Sequence, residues 1–448
     1  MVGATARGVA VTTNLRHAIA CGDVLATLRE LPDNTFDALL CDPPYGLSFM
    51  GKVWDHGVPS VAVWAEALRV LKPGAALVAF GGTRTFHRMA VNIEDAGFEL
   101  RDCLMWLYGK GFPKSHNVSK ALDAAAGATR PVVGTRTLTG NAAVSLKDKG
   151  GTYGVQVGTV PAKQVDVTAA ATPLAQQWDG YGTALKPGWE PILLCRKPLD
   201  GTVANNVQRW GCGALAIDAC RIEGAARPVM ARTTTKVAAN AMAGESTGAT
   251  SSGEMTDEGR WPANVCLDED AAAELDASVA PTKSVPYRGN ENTGAVLPMT
   301  KRTPGGYADA GGPSRFFYCS KVSTKERERG CEALPMRSAG ECTDREDGSA
   351  RLESPRTGAG RGGGARNHHP TLKPIALAQW LARLVMPPTP DATLLIPYCG
   401  AGSEIIGALQ AGWPLVFGIE GEQAYTEIAN ARIAAWTGQS KGQGQGNE

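Results

Sequence analysis

Four consecutive residues, Asp42-Pro43-Pro44-Tyr45, carry groups that suit the binding of an amine on a planar base. They follow the apolar run FDALLC at 36–41, which predicts a buried strand. Because proline has no N–H, the Asp42 carboxylate and the Pro43 carbonyl remain as acceptors, and converging acceptors suit an exocyclic NH2 group. Tyr45 adds an aromatic face on which a base can stack. Taken alone, these residues are also typical of a proline-stiffened turn after a strand.

A glycine-containing turn much later in the chain suits a nucleoside. The segment PYCGAGSE at 397–404 lies between a predicted strand and a predicted helix, where two glycines permit a tight turn and close approach of a ligand. Glu420 ends the next predicted strand and could accept hydrogen bonds from ribose hydroxyls. A glycine turn followed by an acid also occurs without a ligand. The pyrophosphate pattern GxGxxG is absent, so a nucleoside cofactor without phosphates fits better than a dinucleotide. The candidate residues are Pro397, Tyr398, Cys399, Gly400, Ala401, Gly402, Ser403 and Glu420.

The hydrophobic pattern around both candidate sites alternates between strand and helix. In the first portion, 9–112, the run at 61–71 has helical spacing and stops at Lys72-Pro73-Gly74, and the run at 75–82 predicts a buried strand. The portion at 367–437 shows the same alternation. This pattern predicts an open α/β sheet with mostly parallel strands. Neither portion has enough strands for a layered structure alone, so we expect both to share one sheet that carries both sites at its carboxyl edge.

Together, DPPY after one strand and PYCGAGS with a trailing acid after another resemble the DNA amino-methyltransferases that use S-adenosylmethionine. Since DPPY comes first and the glycine turn comes late, the order resembles that of the permuted β class. The resemblance implies a Rossmann-like methyltransferase fold with a mixed, mostly parallel sheet of seven strands in circularly permuted order. It also implies S-adenosylmethionine as the cofactor, with an irregular inserted region for target recognition.

Two shorter segments extend this resemblance. The segment HPTLKP at 369–374 is similar to the family's HPTxKP segment, which precedes the cofactor turn and folds over the methionine part of the cofactor. Gly22-Asp23 resembles the acidic turn that approaches the cofactor adenine. The resemblance therefore adds Asp23, His369, Thr371 and Lys373 to the expected cofactor site.

The resemblance implies methyl transfer to the N6 amine of adenine in double-stranded DNA, after the base has been flipped out of the stack. Asp42 and the Pro43 carbonyl would accept the amine hydrogens, on a turn that Pro44 stiffens, while the base stacks on Tyr45. In this family DPPY more often accompanies adenine N6. Cytosine N4 is the alternative substrate, and a relative that binds DNA without transferring a methyl group is a further alternative.

The charge of the chain is unevenly distributed. Lys and Arg number 45 against 44 Asp and Glu, a net +1 that by itself argues against a nucleic-acid coat protein. Residues 101–150 nevertheless hold 8 basic and 3 acidic residues, 281–330 hold 9 and 4, and 391–448 hold 2 and 6. We therefore expect a basic, DNA-facing middle and an acidic cofactor half. The predicted DNA-contacting residues are Lys110, Lys114, His116, Lys120, Arg315 and Lys321.

The remaining expectations concern organisation and context. No apolar run reaches the length of about 18 residues that a membrane span needs, and the start lacks a basic-then-apolar order, so we expect a cytoplasmic protein without membrane contact. The 11 cysteines show no CxxC pair, so neither disulfides nor a metal site are expected. The family resemblance implies a homodimer and a cognate restriction enzyme as candidate partners. We predict a catalytic core at 1–125, a flexible insertion at 126–185, a core continuation at 186–222, a target-recognition region at 223–366, the cofactor-binding core at 367–437 and a disordered tail at 438–448.

Overall fold

The computed structural model divides the chain into two compact units. Unit 1 comprises Met1–Lys110, Trp189–Asp344 and Gly364–Glu448, and unit 2 comprises Gly111–Gly188 and Arg345–Gly363. The predicted tail at 438–448 lies, apart from Gly438, outside the described residues. The structure describes residues 11–14, 16–47, 55–109, 111, 115–138, 141–147, 153–159, 163–224, 227–235, 246–256, 258–283, 309–320, 326–343 and 364–438.

Unit 1 is built on one mixed sheet to which both α/β portions contribute. Strand β1 (Val11–Asn14) is antiparallel to β2 (His17–Cys21), β10 (Trp189–Arg196) is antiparallel to both of its neighbours, and all other neighbouring strands pair in parallel. The predicted α/β class with a mostly parallel sheet is therefore confirmed. In spatial order the strands are β1 (Val11–Asn14), β2 (His17–Cys21), β18 (Leu415–Glu420), β17 (Thr393–Pro397), β3 (Phe36–Cys41), β4 (Leu71–Phe80), β10 (Trp189–Arg196), β5 (Glu99–Leu107), β13 (Val265–Asp268) and β16 (Tyr318–Ser320).

The sheet has ten strands rather than the seven that were predicted. The seven strands from β2 to β5 in spatial order form a continuous inner block, and the additional strands lie at its two edges. These extra strands, β1, β13 and β16, are only 4, 4 and 3 residues long. Runs this short carry no clear hydrophobic period, which is why these three strands could not be assigned to the sheet from the sequence.

The helices of unit 1 pack around this sheet. The apolar strand β3 is buried along its whole length, as expected for a parallel strand covered on both faces. Its alternate residues point to opposite sides, with Ala38 and Leu40 in one core cluster and Leu39 and Cys41 in the other. The helices are α1 (Val24–Glu30), α2 (Val61–Val70), α3 (Phe86–Asp95), α6 (Val203–Trp210), α7 (Glu269–Ser278), α8 (Ala339–Thr343), α9 (Ile375–Leu384), α10 (Ser403–Ala411) and α11 (Gln423–Thr437).

Unit 2 contains the whole of the predicted insertion at 126–185. Helices α4 (Val118–Ala125) and α5 (Pro173–Gln177) accompany two antiparallel pairs, which are β6 (Val132–Leu138) with β9 (Lys163–Thr168) and β7 (Asn141–Lys147) with β8 (Tyr153–Thr159). The buried Asp123 at the end of α4 accepts hydrogen bonds from Arg130 and from the backbone before α5, and so joins the two helices to β6.

The predicted target-recognition region at 223–366 contributes β13, α7, β16 and α8 to unit 1, together with two small antiparallel pairs. These pairs are β11 (Arg227–Thr235) with β12 (Ser246–Thr256) and β14 (Thr282–Lys283) with β15 (Ala310–Gly311). Among the described helices, none has the length and apolar character needed to cross a membrane.

Candidate active site

The sheet topology brings the two sequence motifs to one edge. Strands β18, β17, β3 and β4 are consecutive parallel neighbours, so their carboxyl ends meet at the same edge of the sheet. The glycine turn follows β17, the Asp42–Tyr45 turn follows β3, and Glu420 is the last residue of β18. The antiparallel strand β10 begins at this edge, because Ile192 near its start pairs with Phe80 at the end of β4.

The Asp42–Tyr45 turn is fixed by hydrogen bonds to two carboxylates. The Tyr45 hydroxyl donates to Asp42 Oδ1 over 2.8 Å. Asp55, which is 2% exposed, accepts from the backbone N–H groups of Tyr45 at 2.7 Å, Gly46 at 2.9 Å and Leu47 at 3.3 Å. Asp55 was not predicted as a site residue, since nothing in its spacing distinguishes it from a surface aspartate. Its role is to hold the backbone that carries the tyrosine ring.

Lys373 of the HPTLKP segment reaches into this turn. Its Nζ donates to both carboxylate oxygens of Asp42 at 2.8 Å and lies 3.4 Å from Glu190 Oε2. The ammonium group also lies 4.9 Å from the centre of the Phe80 ring and 5.2 Å from that of Tyr45. Burial by itself lowers the pKa of Lys373, but the two carboxylates outweigh it and raise the pKa above its ordinary value. The structure thus places this predicted cofactor residue on Asp42.

Glu190 is a second site carboxylate that the sequence analysis missed. It is the second residue of β10, and its Oε2 lies 3.1 Å from the Tyr45 hydroxyl, as an alternative acceptor for the proton that Asp42 accepts. Burial, together with the charges of Asp42 and Glu190, raises the pKa of the Tyr45 phenol well above its usual value. The only sequence feature that could have indicated Glu190 is an acid at the start of the apolar run WEPILLC. The antiparallel direction of β10, known from the structure, shows that this start lies at the site.

The glycine turn, predicted as a tight turn, adopts a left-handed backbone at both glycines. Gly400 has φ +49° and Gly402 has φ +77°, and Gly402 leads directly into α10. A Cβ atom on Gly400 would lie 2.6 Å from His369 Nε2, so the HPTLKP segment lies directly against the turn. The buried Arg432 of α11, another residue missed from the sequence, donates to the Ala401 carbonyl and, over 3.2 Å, to Ser403 Oγ.

Glu420 and the Gly22-Asp23 turn lie beside the glycine turn. Glu420 Oε2 accepts from Gly400 N–H at 2.8 Å, its Oε1 accepts from Glu422 N–H at 2.9 Å, and its carbonyl accepts from Gly22 N–H at 2.9 Å. The side chain is buried, and this burial raises its pKa. Asp23 is exposed and caps α1, with Oδ1 accepting from Ala26 N–H at 2.9 Å.

Two further ionisable groups have strongly shifted pKa values. Glu404, in the first turn of α10, is 5% exposed, and burial followed by the charge of Asp42 raises its pKa to about 7. Burial lowers the pKa of His369 to about 4, so its ring is neutral at pH 7. The His369 ring contacts the edge of Tyr425 with ring centres 4.6 Å apart, and its Nδ1 hydrogen-bonds the Thr371 carbonyl.

Of the predicted DNA-contacting residues, Arg315, His116 and Lys120 lie within the described residues. Arg315 donates to the carbonyls of Gly311 and Gly312 and to Thr282 Oγ1, and so holds the turn around it. His116 and Lys120 belong to unit 2, where both side chains are exposed. Lys110, Lys114 and Lys321 lie outside the described residues.

No family model matches the chain. Among solved structures, the M1.HpyAVI complex with S-adenosylmethionine overlaps 93% of this chain and 98% of its own at 12% identity and a TM-score of 0.34. The PvuII DNA methyltransferase, cytosine-N4-specific, overlaps 94% of this chain and 87% of its own at 11% identity and a TM-score of 0.37. Overlaps with TM-scores below 0.5 do not bear on function, which therefore depends on the residues of this chain.

Proposed function

We propose that this chain is an S-adenosylmethionine-dependent DNA amino-methyltransferase that methylates adenine N6. The observation that carries the proposal is the placement of two sites on adjacent strand ends. The acceptor-rich Asp42–Tyr45 turn follows β3, and the glycine turn follows its parallel neighbour β17, with Glu420 on the next strand. An amine-binding group and a nucleoside-binding group thus lie side by side at the ligand-binding edge of an α/β sheet.

The residues beside β17 fit the proposed cofactor. Both carboxylate oxygens of Glu420 accept backbone N–H groups, and because a carboxylate has about four acceptor positions, capacity remains for a ribose hydroxyl. Because Gly400 has no side chain, the backbone of the turn can lie directly against His369, where a Cβ atom would be too close. The groups that would hold S-adenosylmethionine are therefore Glu420, the turn at 397–403 and the segment at 369–371, with the Gly22-Asp23 turn beside them.

When bound, S-adenosylmethionine supplies a methyl group already activated by a sulfonium. The chain then has to orient the amine and stabilise the positive charge that develops on it. The Asp42 carboxylate and the Pro43 carbonyl accept the amine hydrogens. Asp55 holds the backbone of Tyr45, so that its ring can carry the flipped base. The same acceptors would also bind the N4 amine of cytosine. Adenine is favoured because the first residue of the Asp-Pro-Pro-Tyr motif is aspartate.

Charge supports DNA as the partner. The segment 111–188, which forms most of unit 2, contains 8 Lys and Arg against 4 Asp and no Glu, a net charge of 8 − 4 = +4, whereas the whole chain carries +1. A basic segment of this kind suits contacts with phosphates. We expect DNA affinity to fall at least tenfold between about 50 and 200 mM salt. Equal affinity at both salt concentrations would contradict a phosphate-binding role.

The proposal is tested by incubating the protein with S-adenosylmethionine and unmethylated DNA, followed by digestion to nucleosides and mass spectrometry. N6-methyladenine is expected. Detection of N4-methylcytosine would show that cytosine, not adenine, is the substrate base. Absence of any methylated base on a range of DNA sequences would refute the proposal.

The variant Asp42→Ala tests the amine-binding role. It should abolish transfer while calorimetric binding of S-adenosylmethionine stays within about threefold of wild type. The exposed Asp218 outside the site provides the matched control Asp218→Ala, which should leave transfer unchanged. Retained methylation in Asp42→Ala would overturn the assignment of Asp42.

A further inference from the structure

We propose that Glu190 is a further positioning residue of the methyl-transfer site, which shares Lys373 with Asp42 and keeps the site negatively charged. The inference rests on the proposed function. It concerns a residue of β10, a strand that carries neither of the two sequence motifs.

Glu190 and Asp42 share their hydrogen-bond donors. The Tyr45 hydroxyl lies 2.8 Å from Asp42 Oδ1 and 3.1 Å from Glu190 Oε2. Lys373 Nζ lies 2.8 Å from Asp42 and 3.4 Å from Glu190. A phenol has a single proton, and an ammonium group has three. When a hydrogen of the substrate amine needs an acceptor position on Asp42, that position has to be freed. The Tyr45 hydroxyl and the Lys373 ammonium group can then turn towards Glu190 by a small rotation.

Glu190 also determines the net charge of the site. Two carboxylates and one ammonium group give −1 − 1 + 1 = −1, whereas Asp42 and Lys373 alone would be neutral. In methyl transfer the amine nitrogen donates its lone pair to the methyl carbon, and the electrons of the carbon–sulfur bond remain on sulfur. The nitrogen, now positive, then releases one proton to water. A neutral Asp42–Lys373 pair would stabilise that positive nitrogen poorly, and the Glu190 carboxylate supplies the missing charge.

The position of Glu190 is rigid. Strand β10 pairs on one side with β4 and on the other with β5, where Glu190 itself is opposite Trp106. Its side chain is 23% exposed, which leaves it accessible from the site, while the Lys373 side chain is only 6% exposed. Backbone pairing with β5 thus holds Glu190 in place beside the Lys373 ammonium group.

The test compares Glu190→Gln, which removes the charge at constant size, with Glu190→Asp, which restores it. The matched control is Glu99→Gln, because Glu99 on β5 pairs with Arg196 of the same strand β10 but lies away from the site. Transfer rates are measured at saturating cofactor and DNA, and KM values are measured separately. In parallel, protein labelled with 15N-lysine reports the ammonium signal of Lys373, assigned by its loss in Lys373→Met.

Glu190→Gln is expected to lower kcat about 10²-fold with KM for S-adenosylmethionine within about threefold, as for loss of one transition-state electrostatic group. Glu190→Asp should recover most of this loss, Glu99→Gln should resemble wild type, and the Lys373 signal should shift in Glu190→Gln. An unchanged Lys373 signal would overturn the inference, as would equal kcat values for Glu190→Gln and Glu99→Gln. The lysine signal needs neither DNA nor cofactor, so a wild-type protein that methylates no DNA refutes the proposed function separately.

Discussion

Glu404 gives the chain a pH-dependent stability that one substitution should remove. Its carboxyl group is buried in the first turn of α10, and burial followed by the charge of Asp42 raises its pKa from 4.5 to about 7. In the unfolded chain the group ionises at its ordinary pKa. Between these two values the folded protein therefore binds more protons than the unfolded one, so stability decreases as pH rises. The stabilising contribution is fully present below about pH 4.5 and is lost once the pH has passed about 7.

The size of the effect follows from the two pKa values. One pKa unit corresponds to about 1.4 kcal/mol, so a change from 4.5 to about 7 corresponds to a total of about 3 kcal/mol. Between pH 5 and 8 the folded form should lose about 2.5 kcal/mol of this through Glu404 alone. The variant Glu404→Gln mimics the protonated acid at every pH and should lack this slope.

Urea unfolding of wild type and Glu404→Gln, followed by tryptophan fluorescence at several pH values, measures the difference. The pH dependence that His369 and other groups contribute is common to both proteins and cancels. The control Glu427→Gln changes an exposed acid on the neighbouring helix α11 and should follow the wild-type curve. A constant free-energy difference between wild type and Glu404→Gln from pH 5 to 8 would refute the reasoning. A carboxyl 13C titration of Glu404 with a midpoint near 4.5 would refute it as well.

Three other substitutions test how the site is held. Gly400→Ala places a Cβ against His369 in a left-handed backbone, and should cost about 1–2 kcal/mol of stability and weaken calorimetric S-adenosylmethionine binding at least tenfold. Asp55→Ala removes the acceptor for three backbone N–H groups, and should lower kcat by a factor that corresponds to about 1–3 kcal/mol with cofactor affinity unchanged. Lys72→Met leaves the buried Asp37 carboxylate without its ion pair, and should lower the free energy of unfolding by about 2–3 kcal/mol.

Each of these predictions has a control and a contradicting result. Gly188→Ala adds a Cβ into open space and should bind the cofactor like wild type, so equal affinity in Gly400→Ala would contradict the steric argument. Full activity of Asp55→Ala would show that the position of the Asp42–Tyr45 turn does not depend on the Asp55 carboxylate. In the double variant Asp37→Asn with Lys72→Met no buried charge remains, so its stability should exceed that of Lys72→Met. Equal free energies of unfolding for Lys72→Met and the double variant would contradict a stabilising role of the ion pair between Lys72 and Asp37.

Much of the fold and the outline of the site could be predicted, because the relevant signals are local. The run of β3, apolar apart from Asp37, is typical of a strand buried on both faces, and the structure buries all of it. The placement of both motifs at one edge followed from parallel pairing, which puts every carboxyl end on the same side. The left-handed backbone at Gly400 and Gly402 likewise follows from residues that tolerate it.

The contacts inside the site could not be predicted, because they join distant parts of the chain. Lys373 and Asp42 are 331 positions apart, and the family resemblance placed the lysine on the cofactor. Glu190 reaches the site only because β10 runs antiparallel to β4, and hydrophobic pattern does not fix the direction of a buried strand. Arg432 and Asp55 hold backbone groups whose positions exist only in the folded chain.

The same sheet edge that suits an amine also creates a conflict between charge and stability. It brings the carboxyl groups of Asp42 and Glu190 to the ammonium group of Lys373, and Glu404 lies close enough for its charge to interact with Asp42, Lys373 and Arg432. Below pH 7 Glu404 is protonated, whereas above pH 7 its ionisation adds one negative charge. With Glu404 ionised, the site should stabilise a positively charged amine more strongly. The same ionisation lowers the free energy of unfolding of the protein. Conditions that favour methyl transfer and conditions that favour folding should therefore diverge as the pH passes about 7.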